Sequence, residues 1–182
     1  MTVKVCEGIP SLRTVRLVRE LERSFAASCE RNDFRLVHYS IQRNHAHLIV
    51  EADDEVALGR GMRALGARLA RAVNRIFRRT GPVLADRYHL HILRTPREVR
   101  NALAYVLLNA RRHAVQAGRA LSRAFRIDPA SSGRWFDGWS RRVGGAGPAP
   151  ATGPPVAVPR SWLLAVGWKR TGSLDPDAIP GR

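Results

Sequence analysis

Residues 34–52 constrain the fold of this chain more than any other stretch. Phe34–Ile41 is rich in β-forming residues, a short turn follows, and residues 45–52 resume the pattern of a strand. Two such runs predict an antiparallel hairpin. Because side chains alternate between the faces of a strand, His45 and His47 share one face near the tip of this hairpin. Two neutral imidazoles side by side form half of a metal site, although such a pair is also ordinary strand decoration.

A second His-x-His pair competes for the metal assignment. The break at Thr80-Gly81-Pro82 is followed by residues 83–93, which predict a further strand that carries His89 and His91. His91 lies within an apolar run, which favours the first pair as ligands. The residues alone leave both pairs open, and a further interpretation combines all four histidines in a zinc-stabilised structural module.

Two helices are predicted ahead of that segment. Residues 12–31 place apolar side chains at intervals of three or four and follow a short first strand predicted at residues 2–7. Residues 55–79 predict a longer helix with an apolar stripe on one face. The opposite face carries only positive charge, which favours a phosphate-binding surface over a merely solvated one. The candidate nucleic-acid contacts are Arg60, Arg63, Arg68, Arg71, Arg75, Arg78 and Arg79, together with Arg112 further along the chain.

A late helix carries two polar residues away from its apolar stripe. Thr95 is a predicted N-cap with Glu98 three residues later, and the helix continues to about Gln116. Tyr105 and Asn109 lie off the buried stripe and one helical turn apart, so Tyr105 is not predicted to be a core aromatic residue. The predicted stripe comprises Val99, Leu103, Val106, Leu107 and Ala110.

The charge balance indicates a polyanionic partner. The 182 residues include 31 Lys and Arg against 15 Asp and Glu, a formal net charge of +16, which predicts attraction to nucleic acid or to an anionic membrane surface. No stretch approaches the roughly 18 consecutive apolar residues of a membrane span, and the N-terminal residues do not resemble a signal segment. We therefore expect a cytoplasmic protein without a membrane partner. Cys6 and Cys29 are predicted to be small core residues.

The chain changes character after the late helix. We predict a domain over residues 1–118 and a C-terminal extension over residues 119–182, in which Gly144–Pro159 is too rich in Gly and Pro to form a regular element. Residues 131–139 contain an aromatic patch, and Trp162–Trp168 is a short apolar stretch. Aromatic residues of this kind stack nucleic-acid bases in some proteins, but here anchoring of the extension on the domain is favoured.

Taken together, these features resemble the single-tyrosine HUH transposases, in particular the REP-associated tyrosine transposases. The resemblance covers residues 1 to about 118 and depends on Asn44-His45-Ala46-His47 in the hairpin and Tyr105-x-x-x-Asn109 on a late helix. Each motif alone is weak, whereas the two in this order are fairly specific. The stretches Arg87-Tyr88-His89 and Trp135-Phe136-Asp137-Gly138-Trp139 resemble a transposase-like subgroup of bacterial proteins.

The resemblance implies an α+β fold, a ferredoxin-like βαββαβ sandwich with an antiparallel sheet, which cuts and rejoins single-stranded DNA at a hairpin-forming element. In the roles of this family, His45 and His47 are metal ligands and Tyr105 is the nucleophile that forms a 5′-phosphotyrosine. Asn109 is the third ligand, where many relatives have Gln. The expected cofactor is Mg²⁺ or Mn²⁺, of which Mn²⁺ suits imidazole better. Relatives occur as monomers and as dimers, so a homodimer is one of two expected states.

Two functions from different classes fit these residues. The favoured one is a metal-dependent DNA endonuclease and strand transferase. A phenol has a pKa of about 10, so it needs a cation beside the scissile phosphate to stabilise the transition state. The alternative is a non-catalytic binder of structured single-stranded DNA or RNA, with the same fold and the same arginine stripe.

Overall fold

The computed structural model describes residues 1–118, 127–143 and 153–181. No helix in these three ranges is long and apolar enough to cross a membrane. Short 3₁₀ turns lie at Ser132–Trp135 and Gly167–Thr171. The other elements, in chain order, are β1 (Thr2–Lys4), α1 (Val15–Ala26), β2 (Glu30–Arg31), β3 (Phe34–Ile41), β4 (His45–Ala52), α2 (Glu55–Ile76), α3 (Pro96–Leu107), α4 (Asn109–Gln116) and α5 (Trp162–Ala165).

The predicted hairpin forms the centre of a four-stranded antiparallel sheet with the order β1-β4-β3-β2. β3 and β4 pair from Phe34 opposite Ala52 to Ile41 opposite Ala46, with one irregularity in the register. The β-branched and aromatic residues of both strands suit this pleated and largely buried surface. The sheet and its helices confirm the predicted α+β class.

Helix α1 is shorter at both ends than the helix predicted over residues 12–31. Thr14 caps it, because its hydroxyl accepts a hydrogen bond from the backbone N–H of Leu17. Past Ala26 the chain turns into β2, which pairs with β3 at the edge of the sheet. This pairing satisfies backbone groups that a longer helix would have used.

The late helix is two helices rather than one. The predicted capping box is present: the Thr95 hydroxyl accepts from the Glu98 N–H at 3.2 Å, and the Glu98 carboxylate accepts from the Thr95 N–H at 3.1 Å. Leu108, which is buried, then leaves helical geometry with φ −109° and ψ 11°, and α4 begins at Asn109. The prediction of one continuous helix to residue 116 was therefore wrong.

The strand predicted over residues 83–93 does not form. This segment meets β1 and the residue after it through isolated bridges, which join Thr2 to His89 and Val5 to Leu84. Because β1 has only three residues, it offers too short an edge for a continuous ladder. Residues 83–93 thus form an extended edge in place of the last strand of the expected βαββαβ order. β2 completes the sheet on the opposite side.

Two hydrophobic cores lie on opposite faces of the sheet. On one face, α1 and α2 pack against the side of β4 that carries Ala46. On the other face, α3 packs against Ile49, and Trp168 of the C-terminal extension completes this core. Since side chains alternate along β4, His45 and His47 lie on the face that α3 covers.

The C-terminal extension is attached to the domain by buried contacts. Asp128 accepts two hydrogen bonds from the Arg13 guanidinium, at 2.6 and 2.8 Å. The Ser132 hydroxyl lies 3.2 Å from Nδ1 of the buried His38. The anchoring predicted for the aromatic residues is seen at Trp168, which is 1% exposed. Residues 144–152 of the predicted irregular stretch lie outside the described residues.

Candidate active site

His45 and His47 direct their Nε2 atoms toward each other at the start of β4. The two nitrogens lie 3.1 Å apart. Each Nδ1 has a partner of its own: His45 Nδ1 lies 2.9 Å from Asn44 Oδ1, and His47 Nδ1 lies 3.0 Å from Thr2 Oγ1. Strand pairing explains the second contact, because Thr2 in β1 stands directly opposite His47 in β4.

The surroundings of both imidazoles favour the neutral form. Burial lowers the pKa of His47 to about 4, with a further contribution from the neighbouring His45. Burial also lowers the pKa of His45, and the positive charges of His113 and Lys4 lower it further. A neutral imidazole offers a lone pair to a cation, so both rings have the protonation state that a metal ligand requires.

Tyr105 lies against the same pair from the side of α3. Its ring centroid is 5.0 Å from that of His47, in an edge-on arrangement, and the residue is 36% exposed. The guanidinium carbon of Arg112 lies 5.4 Å from the Tyr105 ring centroid. One chain therefore places the predicted nucleophile against His47, one of the two predicted imidazole ligands.

Asn109 does not lie where the helical projection placed it. It was predicted off the buried stripe, but it is 1% exposed, because the break at Leu108 changes its position relative to α3. Among the described residues, no hydrogen-bond partner reaches either polar atom of its amide. A buried amide without a partner costs about 1–3 kcal/mol, so an additional partner at this point would stabilise the folded chain.

The donor atoms fit a divalent cation. Two nitrogens bound to one cation at about 2.1 Å and at right angles lie about 3 Å apart, close to the 3.1 Å between the imidazoles. Asn109, the predicted third ligand, is buried, and its amide has no partner among the described residues. Within the described ranges, no group of three or more His, Cys, Asp or Glu side chains is placed to hold a metal. The structural zinc site that would join His89 and His91 to the first pair is therefore not formed.

A cleft of about 1230 Å³ opens beside His47 and Tyr105. Leu90 and Ile92 of the extended edge line it, as do Arg112 and residues 178–181 of the C-terminal extension. Its volume exceeds the roughly 300–1,000 Å³ that is usual for small-molecule sites, which suits a larger ligand.

Comparison with known proteins identifies a family. The family described as "Transposase IS200 like" matches residues 11–106, more than half of the chain. The chain belongs to this family. The match confirms the predicted single-tyrosine transposase family, whose activity is that of a DNA-cleaving transposase. No curated protein and no solved structure matches the chain. The REP-associated subgroup stays a prediction.

The arginine stripe of this transposase lies away from the imidazoles. Helix α2 covers the opposite face of the sheet, so the sheet separates its arginines from Tyr105. Arg60 and Arg75 form ion pairs within the chain, and Arg79 donates to the Asn74 side chain at 3.0 Å. Arg112 alone of the predicted contacts lies beside the tyrosine. In the described parts of the chain, no carboxylate comes within ion-pair distance of Arg63, Arg68, Arg71 or Arg78.

Sequence reasoning missed two residues that this transposase places near the imidazoles. Thr2 carried a weak signal, because alternation along the first strand gives it a defined face, but the sequence does not reveal which strand stands opposite. His113 lies close enough for its charge to lower the pKa of both His45 and His47. Its only signal was the spacing of one helical turn from Asn109.

Proposed function

We propose that this transposase is a single-strand DNA endonuclease and strand transferase with Tyr105 as its nucleophile. The observation that carries the proposal is the contact between the Tyr105 and His47 rings within one chain, 5.0 Å between centroids. A partly exposed phenol beside two neutral imidazoles is within reach of a phosphate that enters the cleft. The hairpin-forming substrate and the REP-associated subgroup belong to the same proposal and are supported by the two sequence motifs.

In the proposed reaction, the Tyr105 phenol loses its proton to solvent and its oxygen attacks the scissile phosphorus. The bond from phosphorus to the 3′-oxygen breaks, and that oxygen takes a proton and leaves as a 3′-hydroxyl. The 5′-phosphate stays on Tyr105 as a phosphodiester, so later transfer to another 3′-hydroxyl needs no nucleotide cofactor. Because the ordinary pKa of a phenol is about 10, positive charge at the phosphate is needed at neutral pH. Arg112 is placed to supply part of it.

His45 and His47 would hold the proposed Mg²⁺ or Mn²⁺ ion, and Asn109 would be the third ligand. When bound, such an ion supplies Lewis-acid neutralisation of the phosphate. Lys4, a positive group near the imidazoles, favours the entry of a phosphate and disfavours a bare cation. We therefore expect the metal and the DNA each to raise the affinity for the other.

The same contact bears on whether the site needs a second copy of the chain. Because one chain supplies Tyr105 and both imidazoles, we propose that the site works in cis. A homodimer, if it forms, is then not needed to complete the site.

The test is the formation of a covalent protein–DNA adduct. Labelled single-stranded DNA that contains a hairpin from the genomic flank of the gene is incubated with the protein and Mn²⁺ or Mg²⁺, and adducts are resolved on a denaturing gel. We expect a protein-linked band for the wild type and none for Tyr105→Phe, with DNA binding nearly unchanged. Tyr88→Phe, a matched change in the extended edge, should keep the band.

Two outcomes would contradict the proposal. An adduct that persists in Tyr105→Phe would remove Tyr105 as the nucleophile. If the wild type bound the hairpin DNA but formed no adduct with either metal, the non-catalytic binder would replace the enzyme.

A further inference from the structure

We propose that Thr2 and Asn44 are positioning residues: each fixes the ring orientation of one imidazole, and Asn44 also fixes the tautomer of His45. The inference rests on the proposed metal role of His45 and His47. Its basis is that each imidazole uses Nε2 toward the shared point and Nδ1 toward a separate side chain, at 2.9 Å and 3.0 Å.

Asn44 holds His45 in the tautomer that can bind a cation through Nε2. The side-chain oxygen of Asn44 only accepts hydrogen bonds, so the hydrogen of the neutral His45 ring lies on Nδ1. Nε2 of His45 is then left with its lone pair toward the shared point. The backbone holds Asn44 in this position, because its carbonyl accepts from the Val5 N–H at 3.0 Å.

Thr2 acts differently, because a hydroxyl both donates and accepts. In the arrangement seen here, the 3.1 Å contact between the two Nε2 atoms needs one hydrogen, which His45 does not have at that atom. His47 therefore carries it on Nε2 and accepts at Nδ1 from the Thr2 hydroxyl. When His47 turns its Nε2 lone pair to a cation, its hydrogen moves to Nδ1, and the Thr2 hydroxyl rotates to accept it. Thr2 can thus hydrogen-bond to either tautomer of His47 without a movement of the Thr2 backbone.

The backbone of Thr2 is fixed on both sides. Besides standing opposite His47 in β4, Thr2 donates to the His89 carbonyl at 3.0 Å and accepts from the His89 N–H at 2.9 Å. The hydroxyl is therefore held at one distance from the imidazole. This also gives the extended edge a role at the site, since it holds Thr2 in place.

The experiment measures Co²⁺ affinity, because Co²⁺ binds imidazole more tightly than Mn²⁺ does and its visible absorption reports the ligands directly. Loss of the partner of a metal-binding histidine typically weakens metal affinity by about 10–100-fold. We expect a loss of this size for Thr2→Val and for Asn44→Ala. Thr2→Ser, which keeps the hydroxyl, should restore near wild-type affinity. Asn44→Asp, a stronger acceptor, should bind at least as tightly as the wild type.

Controls separate positioning from folding. Valine has the shape of threonine and favours strands, so the melting temperature of Thr2→Val without metal should match the wild type. Thr80→Val makes the same chemical change at an exposed site after α2 and should leave Co²⁺ affinity unchanged.

Each outcome bears on a different statement. Equal Co²⁺ affinity in the wild type, Thr2→Val and Asn44→Ala would overturn this inference and leave the proposed function standing. Failure of Thr2→Ser to recover affinity would overturn the role of the hydroxyl. A wild type that takes up no Co²⁺ through imidazole would overturn the metal pair itself, and this inference with it.

Discussion

The chain contains two His-x-His pairs with the same spacing and different surroundings. His45 and His47 lie on a strand that is paired on both sides, their Nε2 atoms are 3.1 Å apart, and each Nδ1 has a partner. His89 and His91 lie on the extended edge, where both are exposed. The difference teaches that alternation along a strand does not by itself bring two imidazole nitrogens together. The neighbouring strand and the residue before the motif aim the rings.

The largest expected effect comes from removing each histidine pair in turn. We expect the double variant His45→Ala/His47→Ala to lose adduct formation by at least about 100-fold and to lose Co²⁺ binding, because both proposed ligands are gone. His89→Ala/His91→Ala should stay within about twofold of the wild type, because the backbone rather than the ring of His89 holds Thr2. Rates from the denaturing gel and Co²⁺ titrations check both expectations.

A mixing experiment gives the control for the first variant. His45→Ala/His47→Ala and Tyr105→Phe are combined in equal amounts before DNA is added. A site that works in cis stays inactive in the mixture, whereas recovery of the adduct would mean that tyrosines are exchanged between chains.

A third histidine, His38, sharpens the comparison, because it is buried but has no predicted role in the site. Burial lowers the pKa of His38 to about 4, from an ordinary value near 6.5. Between these values the unfolded chain binds a proton that the folded chain does not, so stability is complete above pH 6.5 and falls as the pH drops toward 4. We expect His38 to lower the free energy of unfolding by about 2 kcal/mol between pH 7 and pH 5, roughly thirtyfold in the folding equilibrium.

Urea unfolding at pH 5 and pH 7 measures this loss. His38→Gln can still hydrogen-bond to Ser132 but does not titrate, so it should reduce the pH dependence. Some dependence remains, since the pKa of His47 is also lowered to about 4. His91→Gln, the same substitution at an exposed position, is the matched control. An unchanged dependence in His38→Gln would refute the assignment.

The smallest expected effect separates Arg112 from the arginines of α2. Arg112→Ala should slow adduct formation by about tenfold with unchanged Co²⁺ affinity, because its charge lies beside Tyr105. Arg63→Ala, on the opposite face, should weaken DNA binding by about two- to threefold and reduce the salt dependence of log Kd by about 1. Gel rates and binding isotherms at several salt concentrations check this. Equal rate effects for the two variants would show that distance from Tyr105 does not matter.

The parts of the fold that follow from local pattern were predictable. The β3–β4 hairpin, the apolar face of α2 and the capping box at Thr95 all depend on residues close together in the chain. The segment 83–93 has strand composition, but whether it pairs depends on the length of β1, far away in the sequence. Whether these residues form a strand could therefore not be predicted from that segment alone.

The candidate site divides in the same way. Alternation predicted that His45 and His47 share a face, and helical spacing predicted an exposed Tyr105. The burial of Asn109 depends on the break at Leu108. Local helix propensity does not predict this break, which lies at the end of the helix that packs into the second core. Thr2 reached the site through strand pairing, which no local pattern encodes.

The placement of Trp168 beneath α3 connects the C-terminal extension to the helix that carries Tyr105. The indole fills the same core as Leu103 and Val106, on the helix that presents Tyr105 to the cleft. The position of the Tyr105 ring therefore depends on packing by a residue more than sixty positions further along the chain, whereas the imidazole pair is held by the sheet.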